Sequence, residues 1–283
     1  MVRRLLDQDA RREQRRQSLL LDRISDQFED KLAEEIADAM RESLRTWELT
    51  REVFLPRDFR QRLEATYSQM INASITTFGS RVFEQGKAAG VALERKEDFA
   101  TFMLNAALRY ISDEVIRQRI SKVENTTRLS IVRLLARAFI EGLTQTETVK
   151  SILEVIGSIS KIRARTIART ETHGAANYGA NVAAKRTDLP MNREWLSAQD
   201  KRTRTTEEGD LFDHVGANGQ VVGRDEPFQI ARLDGGTEAL MFPGDPNGSA
   251  GNVINCRCAL GFIVDTQAII AETLAAVRAQ NPS

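Results

Sequence analysis

The strongest constraint on the fold of this chain is a change in the character of its sequence near residue 187. Before that point, apolar residues recur at the spacing of an amphipathic helix. The first such series is Leu21, Ile24, Phe28, Leu32, Ile36, Met40 and Leu44. Residues 190–265 are instead rich in Gly, Asp, Asn and Pro and contain short β-prone runs. The sequence therefore predicts an α+β fold, with a long helical N-terminal two-thirds followed by a small β-rich C-terminal domain.

The helical part divides into several predicted helices. One long helix runs from Leu21, and a second helical region opens at Pro56. A third stretch includes residues 98–123, and a fourth covers residues 129–143. The sequence "TQTE" at 144–147 is a capping box that begins another helix, and Ser160 is expected to cap the last one. The later runs predict one small meandering sheet, and residues 266–283 predict a C-terminal helix.

Composition excludes some classes of protein. Hydrophobic residues make up 41% of the chain and charged residues 28%, which is typical of a globular protein and not of a disordered one. Runs of about 18 apolar residues are missing, and the N-terminus lacks a signal-peptide core, so we expect neither membrane insertion nor export. The sequence contains 2 cysteines, which argues against a disulfide framework and for a reducing compartment.

The net charge is zero, but the charge is unevenly distributed. Residues 160–205 contain ten Lys or Arg against four acids, whereas residues 206–248 contain nine acids against two arginines. The basic segment either contacts phosphates or pairs with the acidic segment beside it, and charge alone does not decide between these. Its candidate nucleic-acid or portal contacts are Arg163, Arg165, Arg169, Lys201, Arg202 and Arg204.

One polar stripe follows the last predicted helix, because Arg165, Arg169, His173 and Asn177 are spaced by four residues. For the two arginines, a solvated helix face is an equally good interpretation. His173 and Asn177 lie among Gly and Ala, which indicates that another stretch of backbone approaches them closely.

The chain contains two histidines and two cysteines, which together form the inventory of a tetrahedral zinc site. A small sheet buries little apolar surface, so a metal held by His173, His214, Cys256 and Cys258 would stabilise it. The two cysteines are expected on one face of the final strand. The spacing matches no known zinc finger, and the alternative is that the cysteines belong to the core and Arg257 points outward.

Catalysis finds little support in the sequence. Either histidine is a conceivable general base and either cysteine a conceivable nucleophile, but no oxyanion-hole or nucleophile-elbow pattern accompanies them. A phosphate-binding glycine loop is also missing. The sequence therefore predicts a protein without enzymatic activity and without catalytic residues.

Several motifs occur in a characteristic order: "RARTIARTETHGAANYG", "EWLSAQDKRTR", "NGQVV" after His214, "EPF", "LMFPGDP" and "INCRC". As an ordered set they resemble the phage head morphogenesis domain, the family of the Mu gpF-like and SPP1 gp7-like minor head proteins. The resemblance covers roughly residues 105 to 265. The motif residues that we single out are Thr170, Glu171, Asn177, Trp195, Asp200, Pro243, Gly244 and Asp245.

Within this resemblance, Arg169 and the two residues after it correspond to the family's Arg-Thr-Glu helix. Trp195, Asp200 and Arg204 correspond to its tryptophan-aspartate-arginine segment. One departure is the sequence "TTEEGDLFD", which separates Arg204 from His214 as an inserted acidic loop. The position of His214 just before "NGQVV" still supports the match.

The resemblance implies a minor capsid protein of a tailed phage or prophage particle, bound to the portal inside the head and supporting assembly, DNA packaging or ejection. Its implied partners are the portal protein, the major capsid or scaffolding protein and double-stranded DNA, with no membrane. It would lie in the virion near the portal vertex, and in the host cytoplasm during assembly. Residues 1–104 would dock on the portal or capsid, and residues 105–265 would form the family domain. Two alternatives stay open, a phage-encoded toxin or enzyme-like effector and a DNA-binding protein acting through residues 160–205.

Overall fold

The computed structural model describes residues 2–88, 98–187 and 190–265, together with residues 270, 271 and 274. The helices are α1 (Val2–Thr50), α2 (Phe59–Ala88), α3 (Phe99–Ser112), α4 (Glu114–Ile140), α5 (Gln145–Arg186) and the short α6 (Ala250–Val253). The strands are β1 (Met191–Leu196), β2 (Val221–Val222), β3 (Phe228–Ala231), β4 (Thr237–Leu240) and β5 (Ala259–Val264). The predicted α+β fold, helical first and β-rich second, is confirmed.

The helix boundaries differ from the sequence prediction at one internal position. The predicted third stretch breaks at Asp113, and its second half continues into the fourth as the single helix α4. Asp113 ends α3 in an extended conformation, and its carboxylate accepts the backbone N–H of Val115 at 2.8 Å. An aspartate in the middle of a helical pattern acts here as an N-cap, because its short side chain satisfies a free N–H of the next helix.

The capping box at the start of α5 is confirmed, but the predicted cap at Ser160 is wrong. Glu147 donates its backbone N–H to the Thr144 hydroxyl at 3.3 Å, and its carboxylate accepts the Thr144 N–H at 2.8 Å. The helix then runs unbroken through Ser160, whose hydroxyl lies 3.8 Å from the sulfur of Met40 in α1. Burial against a neighbouring helix has overridden the local capping preference of serine.

Helix α5 is the central element of the helical part, because α1 and α2 both pack along it. Its contact face is made largely of alanine and glycine, including Ala164, Ala168 and Gly179. At Gly179 a Cβ atom would lie 2.6 Å from the carbonyl oxygen of Ile75, so only glycine allows α2 to come this close. One apolar core joins all five long helices. It contains residues from both sides of residue 104, where the predicted N-terminal helical region ends.

The β-rich region contains two small sheets where one was predicted. Strands β2, β1 and β5 form an antiparallel sheet in which Trp195 lies opposite Leu260. Strands β3 and β4 form a separate hairpin, with Phe228 opposite Leu240. The short runs were correctly identified as strands, but sequence order does not reveal that β1 pairs with β5 from the far end of the domain. A second apolar core fills the space between the sheets.

Two further predictions concern the ends of the chain and membranes. The predicted C-terminal helix 266–283 falls outside the described residues, except for residues 270, 271 and 274, which are helical. In the part of the chain that the structure describes, no helix combines the length and apolar character needed to cross a membrane.

Candidate metal centre

Three of the four predicted metal ligands lie together in the C-terminal region. The ligand atoms of His214, Cys256 and Cys258 all lie within 4.8 Å of one another, and the three side chains are buried. The Nδ1 atom of His214 lies 3.7 Å from the sulfur of Cys256 and 3.5 Å from that of Cys258. Tetrahedral zinc with ordinary bond lengths would separate nitrogen from sulfur by about 3.6 Å. The cluster therefore has the composition and spacing to bind a metal ion.

The acidic insertion before His214 folds into a closed loop. The backbone N–H groups of His214 and Val215 both donate to the carbonyl oxygen of Arg204, at 2.9 and 3.0 Å. Within the loop, the carboxylate of Asp210 accepts the N–H of Thr205 at 3.1 Å. The nine inserted residues therefore leave and return at one point, and His214 keeps its place beside Arg204.

The two cysteines do not lie on the final strand, as predicted, but immediately before it. Strand β5 begins at Ala259, and Cys256 follows Asn255, which has a positive φ of 57°. The turn at Asn255 sends both sulfurs into the core, because alternate residues of the extended segment that follows share a face. The two sulfurs lie on one side of the segment, as predicted, but the cysteines are outside the hydrogen-bonded ladder of strand β5.

Arg257, between the cysteines, does not point outward as the alternative interpretation required. Its guanidinium binds the Asp200 carboxylate through both terminal nitrogens, and its side chain is only 10% exposed. The Arg257 hydrogen bonds lower the pKa of Asp200 to about 2. The pair ties the loop after β1 to the cysteine segment.

The hydrogen bonds around His214 decide which of its ring nitrogens is free. Its Nε2 lies 2.6 Å from Oδ1 of Asn252, and Nδ2 of Asn252 donates to the Glu238 carboxylate at 3.2 Å. A carboxylate only accepts, so the amide of Asn252 must direct its NH₂ to Glu238 and its oxygen to His214. Nε2 of His214 therefore carries the proton, and the lone pair of Nδ1 faces the two sulfurs. Second-sphere partners of this kind commonly orient metal-binding histidines.

The thiol chemistry of the cluster suits a soft cation. A hydrogen bond from Cys258, together with the nearby His214, holds the pKa of Cys256 well below its usual range. Burial raises the pKa of Cys258 well above its usual range, and its bond to the Cys256 sulfur adds to this effect. Burial opposes the charged form of His214, yet the adjacent Cys256 raises the pKa of its imidazole. The lowered pKa of Cys256 favours the thiolate, which is the form that binds zinc.

The fourth predicted ligand, His173, lies in α5 and is not among the three clustered residues. It is 1% exposed, and burial lowers its pKa to about 4, so that its ring is neutral near pH 7. The motif residues on either side of it connect α5 to the C-terminal region. Thr170 accepts the N–H of Asn255 at 3.0 Å. Asn177 donates to the carbonyl oxygens of Pro243 and Cys258, and its own oxygen accepts the N–H of Leu260.

Glu171 makes a further connection between helices and the β-rich region. Its carboxylate lies 3.1 Å from the guanidinium of Arg119 in α4, and both side chains are largely buried. Burial raises the pKa of Glu171, while Arg119 lowers it. Arg119 also donates to the carbonyl oxygen of Pro246 at 3.2 Å. One buried ion pair thus holds α4, α5 and the loop before α6.

The remaining motif residues are structural in their contacts. Gly244 has a φ of 79°, which glycine adopts without strain, and its carbonyl packs against Gly174 of α5. Asp245 closes this turn by accepting the N–H groups of Met241 and Asn247, at 2.9 and 3.0 Å. Trp195 is fully buried, with its ring centre 5.4 Å from that of His214.

The candidate basic contacts do not form one continuous stripe. Arg163 differs most from the prediction, because its guanidinium turns inward and donates to backbone and hydroxyl oxygens of α4. Arg165 pairs with Glu29 of α1 at 3.1 Å, and Arg204 donates to the carbonyl oxygen of Ile254. Arg165, Lys201 and Arg202 are exposed, while Arg169 is partly buried.

Asn252, Glu238 and Arg119 are the site residues that sequence reasoning missed. Asn252 and Glu238 orient His214 from a distance of 38 and 24 positions along the chain, and Arg119 lies 52 positions before Glu171. Their residue types are common, and their spacing carries no periodic signal. Only the fold brings them to the site.

Comparison with known proteins agrees with the resemblance seen in the motifs. Residues 130–261 match the family described as Phage Mu protein F like protein. The "Uncharacterized protein YqbB" of Bacillus subtilis (strain 168) is 22% identical over 218 residues, which cover 77% of this chain and 66% of that protein. No solved structure matches the chain. Residues 130–261 are therefore similar to the Phage Mu protein F like family, which agrees with the phage head resemblance of the ordered motifs.

Proposed function

We propose that this chain is a minor capsid protein of a tailed phage or prophage particle, bound to the portal inside the head. There it supports assembly, DNA packaging or ejection. The observation that carries the proposal is the family match over residues 130–261, which contain α5, the metal cluster and the buried contacts between them. Helices α1 and α2 pack along the same α5, so the part outside the family match is anchored to the part inside it.

A structural role fits the candidate metal centre better than a catalytic one. Cys256, His214 and Asn252 have the order of a cysteine nucleophile, its base and an orienting amide. However, these side chains are 2%, 1% and 0% exposed, so a substrate carbonyl has no approach to the sulfur. We therefore propose that the protein is not an enzyme, and that a zinc ion at His214, Cys256 and Cys258 stabilises the C-terminal region.

The portal-docking surface in this proposal is the end of the helical part where α1 and α4 terminate. Leu49 and Phe139 are each 85% exposed there, and Ile140 is 82% exposed. Gln145 donates to the carbonyl oxygen of Glu48, which places the start of α5 beside the end of α1. Large apolar side chains exposed at one end of a molecule are typical of an interaction surface.

The deciding experiment is quantitative mass spectrometry of purified particles, with the ratio of this chain to portal protein measured in empty procapsids and filled heads. We expect a fixed ratio at or below one chain per portal subunit, and a lower ratio after ejection if the protein leaves with the DNA. Phe139→Ser should reduce incorporation. Ile162→Ser is the matched control, since Ile162 is 67% exposed in the middle of α5. Absence from both particles would refute the proposal.

A second candidate function, DNA contact, is favoured by Arg169, Lys201 and Arg202. The buried Nε atom of Arg169 has no hydrogen-bond partner among the described residues, and the other two side chains are exposed. The test is binding of double-stranded DNA over a range of salt concentrations. Because each phosphate contact contributes about one to the slope of log affinity against log salt, removing Lys201 and Arg202 should lower that slope by about two. No binding at low salt would remove this candidate.

A further inference from the structure

His173 is a buried histidine whose hydrogen-bonding capacity is unused. Neither Nδ1 nor Nε2 has a hydrogen-bond partner within the described residues, although the side chain is 1% exposed. Buried polar side chains in native proteins are nearly always satisfied, and each exception indicates a missing partner or a functional role. The position of His173 in α5 shows which partner is within reach.

The cysteine segment passes directly over His173. Thr170 lies three residues before His173 and Asn177 four residues after it, so all three share one face of α5. Thr170 holds the segment at Asn255, and Asn177 holds it at the carbonyl oxygen of Cys258. Cys256 lies between these two attachment points. His173 is therefore fixed beneath the segment that supplies both sulfurs of the metal cluster.

We propose that His173 is the fourth ligand of the metal ion bound by His214, Cys256 and Cys258. The ion is then enclosed by protein groups alone, and it links α5 to the C-terminal region. The inference rests on the proposed zinc centre and adds a fourth protein ligand to it, so that no coordination position is left for water. It requires the imidazole to turn toward the cluster when the ion binds, because the ring does not lie within 4.8 Å of all three other ligand atoms without the ion.

The chemistry of the ligand set specifies the ion. Two thiolates and two neutral imidazoles form a net neutral complex with a divalent cation, which suits a site that is buried on every side. Tetrahedral coordination by two sulfurs and two nitrogens is typical of structural zinc. The backbone N–H of Ala198 donates to Cys258, as backbone groups often do at zinc-bound thiolates. A site with three protein ligands would instead leave one position for water, the arrangement of catalytic zinc.

The test replaces zinc by Co²⁺ in the full chain, because Co²⁺ reports coordination number and thiolate ligation by visible absorption. For the wild type we expect one Co²⁺ per chain, with the intense d–d bands of a tetrahedral site and charge-transfer bands of two thiolates. His173→Ala should keep the thiolate bands, change the d–d envelope and lower the affinity by at least about tenfold. Zn²⁺ competition gives the same ranking of affinities.

Two outcomes separate this inference from the proposed zinc centre. If the wild type binds no metal, the zinc centre itself is refuted. If the wild type binds Co²⁺ and His173→Ala binds it with the same spectrum and affinity, the centre stands with water in its fourth position and the inference is refuted.

A second variant covers the case in which His173→Ala fails to fold. His173→Cys retains a metal-binding side chain and should bind Co²⁺ through three thiolates, with charge-transfer absorption about half again as intense as in the wild type. An unchanged two-thiolate spectrum in a folded His173→Cys protein would overturn the inference. His214→Ala serves as the positive control, since it removes a ligand that the geometry already places in the cluster.

Discussion

The helical part and the β-rich region of this protein are stabilised in different ways. The helical core draws buried apolar side chains from all five long helices, and small residues along α5 let those helices approach closely. The core of the β-rich region consists of ten buried residues, two of which are the cysteines. Hydrophobic stabilisation scales with the apolar area removed from water, so apolar burial stabilises the β-rich region less than the helical part.

The β-rich region compensates with polar connections to the helices. Thr170 and Asn177 both hold the cysteine segment against α5. The loop before α6 is held by Asn177 directly and by Glu171 through Arg119. Their partners are mostly backbone groups, which fix position better than apolar contacts do. In this chain the motif residues Thr170, Glu171 and Asn177 therefore cross-link α5 to a region whose own apolar core is small.

The largest effect should come from losing the metal centre. Cys258→Ser should release bound metal and destabilise the β-rich region by more than about 4 kcal/mol, because loss of a structural metal is among the costliest single changes. The helical part should persist. Limited proteolysis after chelation should therefore cleave within residues 190–265 first, while far-ultraviolet circular dichroism keeps its helical signal.

The two tryptophans allow this prediction to be followed separately in each region. Trp195 packs against His214, whereas Trp47 lies in α1. In a Trp47→Phe background, chelation should shift the emission of Trp195 toward that of an exposed indole. A metal-free wild type with full stability and unchanged Trp195 emission would show that the cysteines are core residues alone.

The next largest effect should come from the buried ion pair between helices. Glu171→Gln leaves the Arg119 guanidinium without its charge partner and should lower the free energy of unfolding by roughly 3 to 5 kcal/mol. Urea denaturation measures the difference. The matched control is Glu141→Gln, which removes an ion pair with Arg137 that is exposed to solvent and should change stability by less than about 1 kcal/mol. If the two changes lower the free energy of unfolding equally, the buried pair contributes no more to stability than the exposed one, and the prediction is wrong.

Features set by local sequence patterns could be predicted, whereas those set by tertiary contacts could not. The α+β order, the capping box at Thr144 and the strand runs follow from local patterns, which is why they were predicted correctly. His214 and the cysteines were selected by residue type alone, because no spacing rule connects positions 42 and 44 residues apart. The errors at Ser160 and Arg257 share one cause. In both cases a tertiary partner, Met40 or Asp200, overrides what the local sequence favours.

A smaller effect on stability should distinguish Gly179 from Gly157, two glycines of α5 whose surroundings differ. Gly179→Ala places a Cβ 2.6 Å from the carbonyl oxygen of Ile75 and should destabilise the helical part by about 1 to 3 kcal/mol through overpacking. Gly157→Ala is the control, since a Cβ there meets nothing within 4 Å, and it should stabilise α5 by up to about 1 kcal/mol. Thermal unfolding of both variants should move in opposite directions. Parallel shifts would show that α2 and α5 do not depend on close approach.

The smallest predicted effect tests whether the helical part depends on any polar link at all. Thr144→Ala removes the hydroxyl that accepts the backbone N–H of Glu147, and N-cap losses of this kind cost about 1 kcal/mol. Thr144→Ser keeps the acceptor and should behave like the wild type in urea denaturation. Because packing along α1 and α2 holds the rest of α5, the loss should fray only the first turn, which hydrogen exchange of residues 145–148 would detect. A loss as large as that of Glu171→Gln would mean that the helical part also relies on single polar contacts, and the contrast between the two regions would disappear.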